Sequence, residues 1–176
     1  MSPKPIPAEP IRNPIGRLTV LGISSGLGLG YAPIAPGTFG SLLGIPAGLA
    51  LLHFHPELAL GICVAALALF SWLADRACRH WGDMDAGRVV SDEVLGQAIS
   101  IYGLRGIADP ETGLPHWTWI LAAFLLFRIF DIVKPYPAKT FDRQASGFGV
   151  VLDDVVCGLY VGIFLMGISK IAHGFF

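Results

Sequence analysis

Arg128, Asp131 and Lys134 sit three residues apart in the run FRIFDIVKPYP (127–137), and only Ile129, Phe130, Ile132 and Val133 lie between them. On a helix, that spacing sets three side chains on one face. A carboxylate flanked by two cations on an otherwise apolar helix needs charged partners, and a phosphate and a metal ion suit the two signs.

Two acidic pairs extend the inventory. Asp153 and Asp154 lie inside GVVLDDVVCG, where no helix cap explains them. Buried unpaired charge is costly, and acids inside an apolar helix are functional candidates by default. Asp92 and Glu93 open SDEVLGQAIS. Acids in a first helical turn also complement the helix dipole, so Ser91 or Asp92 serves equally well as an N-cap. A Gly/Pro-rich loop, PIAPGTFGS (33–41), follows Gly26, Gly28 and Gly30 and leads into an apolar segment with Thr38 and Ser41 as hydroxyl donors. Free backbone N–H groups at such a helix start suit an anion. Taken alone, the loop reads first as an ordinary capped turn, and it matches neither the P-loop nor the dinucleotide fingerprint.

The chemistry these groups could perform is narrowed by what they lack. His53, His55, His80, His116 and His173 all lie outside the clusters, which argues against a phosphohistidine. The residues six past Cys63, Cys78 and Cys157 are Leu69, Met84 and Ile163, so no cysteine-arginine phosphatase loop exists. Asp83-Met84-Asp85 continues Ala86-Gly87 and does not form an aspartate-nucleophile motif. Hard carboxylate oxygens favour Mg²⁺ over zinc, and metal-assisted chemistry is what remains.

The elements that must position these groups are apolar and long. Stretches at about 39–54, 58–74, 117–133 and 150–169, with a shorter one at 94–104, show no strand alternation and predict helices. The chain has 176 residues, enough for one domain; 53% are hydrophobic and 14% charged, against about 25% charged in soluble domains. Mean hydropathy is +0.63. The expected fold is all-α: a compact multi-helix bundle, multi-pass in a membrane, with short helices around a polar site. A soluble bundle with an apolar core competes, because each stretch is at the short end of the roughly 20 residues a bilayer requires. The net charge of −1 and the lack of any Lys/Arg run give no reason to expect nucleic acid. Three scattered cysteines without a CxxC pair read as buried thiols.

Residues 1–17 hold Pro3, Pro5, Pro7, Pro10 and Pro14 and read as a flexible or extended tail, leaving 18–176 as a single helical domain. The tail does not resemble a signal peptide. Lys and Arg concentrate in the tail (Lys4, Arg12, Arg17), in the link before Asp92 (Arg76, Arg79, Arg88) and in the link 134–143, whereas 53–57 has none and 105–116 has only Arg105. If all five segments cross, this is a positive-inside pattern with a cytoplasmic N-terminus, and it sets the acidic and basic clusters in one cytoplasmic layer. Gly40, Gly44 and Gly48, with Gly158 and Gly162, form small-residue ridges along which helices can approach closely. Pro46 is expected to bend its helix.

APGTFGS (35–41), DE (92–93), FRIFDIVKPYP (127–137) and LDDVVCG (152–158) together resemble the phosphatidylglycerophosphatase A family in order and spacing, over most of the chain. The resemblance implies a Mg²⁺-dependent phosphatase of the bacterial inner membrane. Such an enzyme converts phosphatidylglycerophosphate to phosphatidylglycerol, with membrane lipids as surroundings and an active site facing the cytoplasm. It further implies that Asp92, Glu93, Asp131, Asp153 and Asp154 hold one or two Mg²⁺ ions. Asp92, Glu93, Asp131 and Asp154 would also be the catalytic carboxylates, one of them acting as base toward water. Gly37, Thr38, Arg128 and Lys134 would bind the phosphate. Cys157 stands where a small residue such as Ala would be more usual. Three other readings compete: a soluble-headgroup phosphatase, a membrane transporter that moves ions through the acidic cluster, and a structural bundle with internal ion pairs. The sequence is compatible with a homo-oligomer.

Overall fold

The computed structural model describes residues 5–84 and 87–174, without the side chains of 172–174. Among these, the chain forms seven α-helices and two short 3₁₀ turns and no strand. The helices are α1 (Pro14–Ser24), α2 (Pro36–Leu51), α3 (Pro56–Trp81), α4 (Ser91–Tyr102), α5 (Trp117–Val133), α6 (Ala138–Asp142) and α7 (Gly147–Gly174). The 3₁₀ turns are Leu29–Tyr31 and Gly103–Ile107.

α4 is the central element. Nearly every residue from Ser91 to Ile101 is buried, because α2 covers one side and α7 another. Small residues make this enclosure possible. A Cβ added to Gly44 would lie 2.6 Å from the Val94 carbonyl, and one added to Gly158 would lie 2.2 Å from the Gly96 carbonyl. Backbones this close leave room only for hydrogen, so the ridges expected from the sequence are the seams along which α2 and α7 clamp α4. On its outer faces α4 meets two apolar clusters. One is built on Leu73, Ala77, Leu95 and Val151. The other is built on Ile101, Phe127, Cys157 and Val161.

All five apolar stretches are helices, and the α5 bounds coincide with the expected 117–133. α3 runs further than its apolar stretch. Arg76 and Arg79, read as part of a link, belong to its last turns. The helix continues because Asp75 pairs with Arg79 at 2.8 Å across one turn, and it stops at Gly82, whose φ of 72° closes a left-handed cap.

The proline-rich segment, expected to be flexible or extended, docks on the end of α3 and then enters a helix. α1 begins at Pro14, with Asn13 accepting the Ile15 N–H at 3.0 Å as N-cap. Before it, Ile6 N–H donates to the Gly82 carbonyl at 3.1 Å and Glu9 N–H to the Arg79 carbonyl at 2.8 Å. Ile11 N–H donates to His80 Nδ1 at 3.0 Å. An extended backbone makes no internal hydrogen bonds, and the end of α3 has carbonyls left unsatisfied. Each supplies what the other lacks. Lys4 and Pro3 lie outside the described residues.

Two helices, Pro56–Trp81 and Gly147–Ile171, are long and apolar enough to cross a membrane, and Pro36–Leu51 is apolar but shorter. Only 22% of the α3 apolar window is buried within the protein, and Leu58, Leu60, Val64 and Trp72 are exposed. α4, with 12 residues, is about 18 Å long and falls short of a roughly 30 Å hydrocarbon core.

Candidate active site

At the N-terminal end of α4 the bundle opens into a cavity of about 440 Å³. Its charged lining consists of Asp92, Glu93, Arg128, Asp131, Lys134, Asp142, Asp153 and Asp154. Four elements supply them. α4 brings Asp92 and Glu93 in its first turn, and α5 brings Arg128 and Asp131. Lys134 caps the end of α5, α6 brings Asp142 as its last residue, and α7 brings Asp153 and Asp154 in its second turn.

The α5 charges do not all lie on the helix. Arg128 Nη1 pairs with Asp131 at 2.9 Å across one turn, as the spacing predicts. Lys134 is instead the residue after the last turn, with φ of 48°, and its N–H donates to the Phe130 carbonyl at 2.7 Å. The left-handed backbone swings its side chain toward α7, where Nζ pairs with Asp153 and, at 3.0 Å, with Asp142. Pro135 follows, and a residue before proline avoids the helical region. Burial disfavours the Lys134 ammonium, but the Asp153 and Asp154 carboxylates outweigh it and hold its pKa above the ordinary lysine range.

Asp92, Glu93 and Asp154 are different. Each offers a carboxylate oxygen within 4.8 Å of the others. Asp92 Oδ1 and Glu93 Oε2 are sealed from solvent and have no hydrogen-bond partner. Glu93 as a whole residue is only partly buried, so it is this one oxygen that is enclosed. Burial, then the neighbouring Glu93, push the Asp92 carboxyl well above the usual range. Burial likewise lifts Glu93 to about 8. Buried oxygens without partners are costly unless something pairs with them. Three converging carboxylates are what a hard divalent cation such as Mg²⁺ takes as ligands, so the residues present fit such an ion.

The Gly/Pro loop reaches the same place. Gly37 lines the cavity, and a Cβ there would fall 2.1 Å from Glu93 Oε1 and 3.2 Å from Arg128 Nη1. Only glycine lets the start of α2 approach both groups. Ser41 donates to the Gly37 carbonyl at 2.9 Å and accepts from Arg128 Nη1 at 3.2 Å, which steadies the guanidinium. Thr38 is partly buried and does not line the cavity.

Of the residues singled out in the sequence, Asp92, Glu93, Arg128, Asp131, Lys134, Asp153, Asp154 and Gly37 meet in one cavity, and Thr38 stands beside it. Asp131 and Asp153 are held by cations and stand outside the three-carboxylate group. Asp142, eight residues beyond Lys134, was missed, because a single acid in a polar link carries no spacing signal. Ser91 does not cap α4; Val90 occupies that position without a side-chain hydrogen bond.

The sequence profile of the phosphatidylglycerophosphatase A family matches residues 22–169. A phosphatidylglycerophosphatase A from Haemophilus influenzae is 34% identical over 163 residues, covering 89% of this chain and 95% of the relative. One from Escherichia coli is 35% identical over 144 residues, covering 78% and 76%. A Bacteroides thetaiotaomicron protein, provisionally named a phosphatidylinositol-3-phosphatase, is 41% identical over 143 residues, covering 78% and 86%. No solved structure matches the chain.

Proposed function

Because the chain belongs to the phosphatidylglycerophosphatase A family, we propose that it hydrolyses the terminal phosphomonoester of phosphatidylglycerophosphate, releasing phosphatidylglycerol and inorganic phosphate. The observation that carries this reading is the meeting, in one cavity, of three converging carboxylates, two of them with a buried oxygen that has no hydrogen-bond partner, with Arg128 and Lys134. Six acidic groups face two cations in that cavity, so with the acids ionised it is strongly negative. A phosphomonoester would be repelled from it unless a cation were bound.

Asp92, Glu93 and Asp154 would hold Mg²⁺. A bound divalent cation there supplies positive charge that offsets the carboxylates and polarises the phosphate ester. The chain's own groups do the rest. Arg128 presents a fork of donors to phosphate oxygens, and Asp131 and Ser41 keep it from turning away. Lys134 contributes a point charge aimed by Asp153 and Asp142. The Gly37 backbone lets the phosphate come close to the start of α2. Water attacks phosphorus as the ester P–O bond breaks, and Asp131, in the same cavity but outside the three-carboxylate group, takes a proton from that water and returns it to the departing glycerol oxygen, which leaves as the free hydroxyl. Positioning and charge complementarity supply most of the acceleration.

The site lies at the headgroup level of a multi-pass protein of the bacterial inner membrane, facing the cytoplasm. Two long apolar helices support crossing. Arg76, Arg79, Lys134, Lys139 and Arg143 lie at the site end of the bundle. Arg105, which donates to the Leu52 and Phe54 carbonyls at 2.7 and 2.9 Å, marks the sparsely charged opposite end.

Phosphate release from phosphatidylglycerophosphate in mixed micelles, with Mg²⁺ and with EDTA, tests the function. Release only with the divalent ion is the expected result. Equal release in EDTA would overturn the metal assignment, and no release under either condition would overturn the activity. Including a phosphatidylinositol 3-phosphate arm shows whether the headgroup is discriminated, given the name of the Bacteroides relative.

A further inference from the structure

Arg88 stands at the rim of the cavity, between Gly87 and Val89, which both line it. Its guanidinium lies 5.9 Å from the centre of the Tyr31 ring and 5.6 Å from that of Trp81. The two rings meet edge to face, with centres 6.3 Å apart and planes at 84°. Among the described residues Arg88 has no carboxylate partner, whereas Arg128 and Lys134 are both ion-paired.

The backbone beneath Arg88 is locked. A Cβ on Gly30 would lie 2.0 Å from the Arg88 carbonyl oxygen, and Val90 N–H donates to the Ser24 carbonyl at 2.8 Å. The segment leading into α4 is therefore interlocked with the 3₁₀ turn that carries Tyr31. A guanidinium resting on aromatic faces keeps its in-plane donors free for a further anion.

The surroundings say what kind of anion reaches it. Tyr31 is 52% exposed, and Leu27 and Ile34, on the same connection between α1 and α2, are 84% and 78% exposed. Exposed apolar side chains beside a Tyr, a Trp and an exposed cation match the headgroup boundary of a bilayer, where amphipathic rings settle. An anion arriving from that side, while its phosphomonoester end enters the cavity, is a lipid that carries a second phosphate nearer its acyl chains.

We propose that Arg88, framed by Tyr31 and Trp81, is the binding group for the phosphodiester of the lipid substrate, separate from the Arg128–Lys134 seat of the phosphomonoester. This rests on the lipid phosphatase reading above. It divides recognition in two. The inner cations take the group that leaves as phosphate, and the rim arginine takes the phosphate that remains with the lipid.

The two reaction products separate these seats. Inorganic phosphate fills only the inner one, and phosphatidylglycerol, which keeps the diester, reaches the rim. Inhibition by each is measured for the full-length wild type, Arg88→Gln and Arg88→Lys in neutral-detergent micelles. In Arg88→Gln the inhibition constant of phosphatidylglycerol is expected to rise roughly tenfold or more, the scale of one charged hydrogen bond, with that of inorganic phosphate unchanged. Arg88→Lys, which keeps the charge and loses the fork, should fall between. No change for either inhibitor overturns the proposal. A parallel rise for both also overturns it, because Arg88 would then be only a support for the loop. Wild-type turnover of phosphatidylglycerophosphate is recorded first and tests the function separately. The Arg88 comparison is read on whichever lipid phosphomonoester the wild type hydrolyses, so the two readings can fail independently.

Discussion

The two sides of the cavity use the same residue type in opposite ways. On the α5 side, and at Asp153, each carboxylate is matched to a cation: Asp131 to Arg128, and Asp153 and Asp142 to Lys134. On the α4 side, Asp92 and Glu93 join Asp154, and among the described residues none of the three forms an ion pair. Asp153 and Asp154 are adjacent in sequence yet fall on different sides of this division. Successive helical residues point about 100° apart, so one reaches Lys134 while its neighbour reaches α4. A paired carboxylate positions a cation. An unpaired cluster in a buried place has the chemistry that a bound cation would satisfy.

Replacing a member of the unpaired cluster should have the largest effect. Asp92→Asn is expected to lower kcat/KM at least about 100-fold, on the scale of losing one preorganised electrostatic group. It should also raise the melting temperature of the metal-free protein, since a buried carboxyl crowded by acids is removed. A variant that loses activity and stability together would mean Asp92 is structural. Arg128→Gln on the paired side should cost roughly 100-fold in turnover, with Arg128→Lys recovering only part, because a point charge cannot replace the fork. Full recovery by Lys would contradict a bidentate role.

The adjacent aspartates separate the two sides most sharply. Asp154→Asn should raise the Mg²⁺ concentration for half-maximal activity about tenfold or more, and Asp153→Asn should leave it nearly unchanged while raising KM. Equal metal titrations for the two variants would erase the distinction.

The unpaired side also predicts a pH dependence. Glu93 is raised from 4.5 to about 8, and Asp92 is raised as well, so the folded metal-free state holds protons that the unfolded chain has released. Stability of the metal-free protein then declines as pH rises from about 5 through 8, and Mg²⁺ should restore it increasingly toward high pH. A melting temperature that climbs over this range without metal would count against the assignment. The smallest effect on chemistry belongs to packing away from the site. Gly44→Ala should cost about 1–3 kcal/mol of stability through its clash with the Val94 carbonyl, read as a lowered melting temperature.

Much of this was legible in the chain. Apolar length alone located α2, α3, α4, α5 and α7, because a long uninterrupted apolar run has few alternatives to a helix. α1 and the docked segment before it were not legible, since proline content speaks to backbone conformation and not to the carbonyls waiting at the end of α3. The site residues were visible as charges in places where charge is costly. Ser41 was legible only as a hydroxyl donor of the loop, and Asp142 and Arg88 had no site role, because each acts through a neighbour outside its own segment or through rings that only the fold brings near.

The sequence by itself determined that acids and cations would be buried in an apolar helical protein, since their types and spacing leave solubility no explanation. Only the tertiary structure decided which acids pair with a cation and which converge without one. Partnership depends on distances between helices and on the left-handed turn at Lys134, and those are set by packing. Periodicity along one helix cannot encode them.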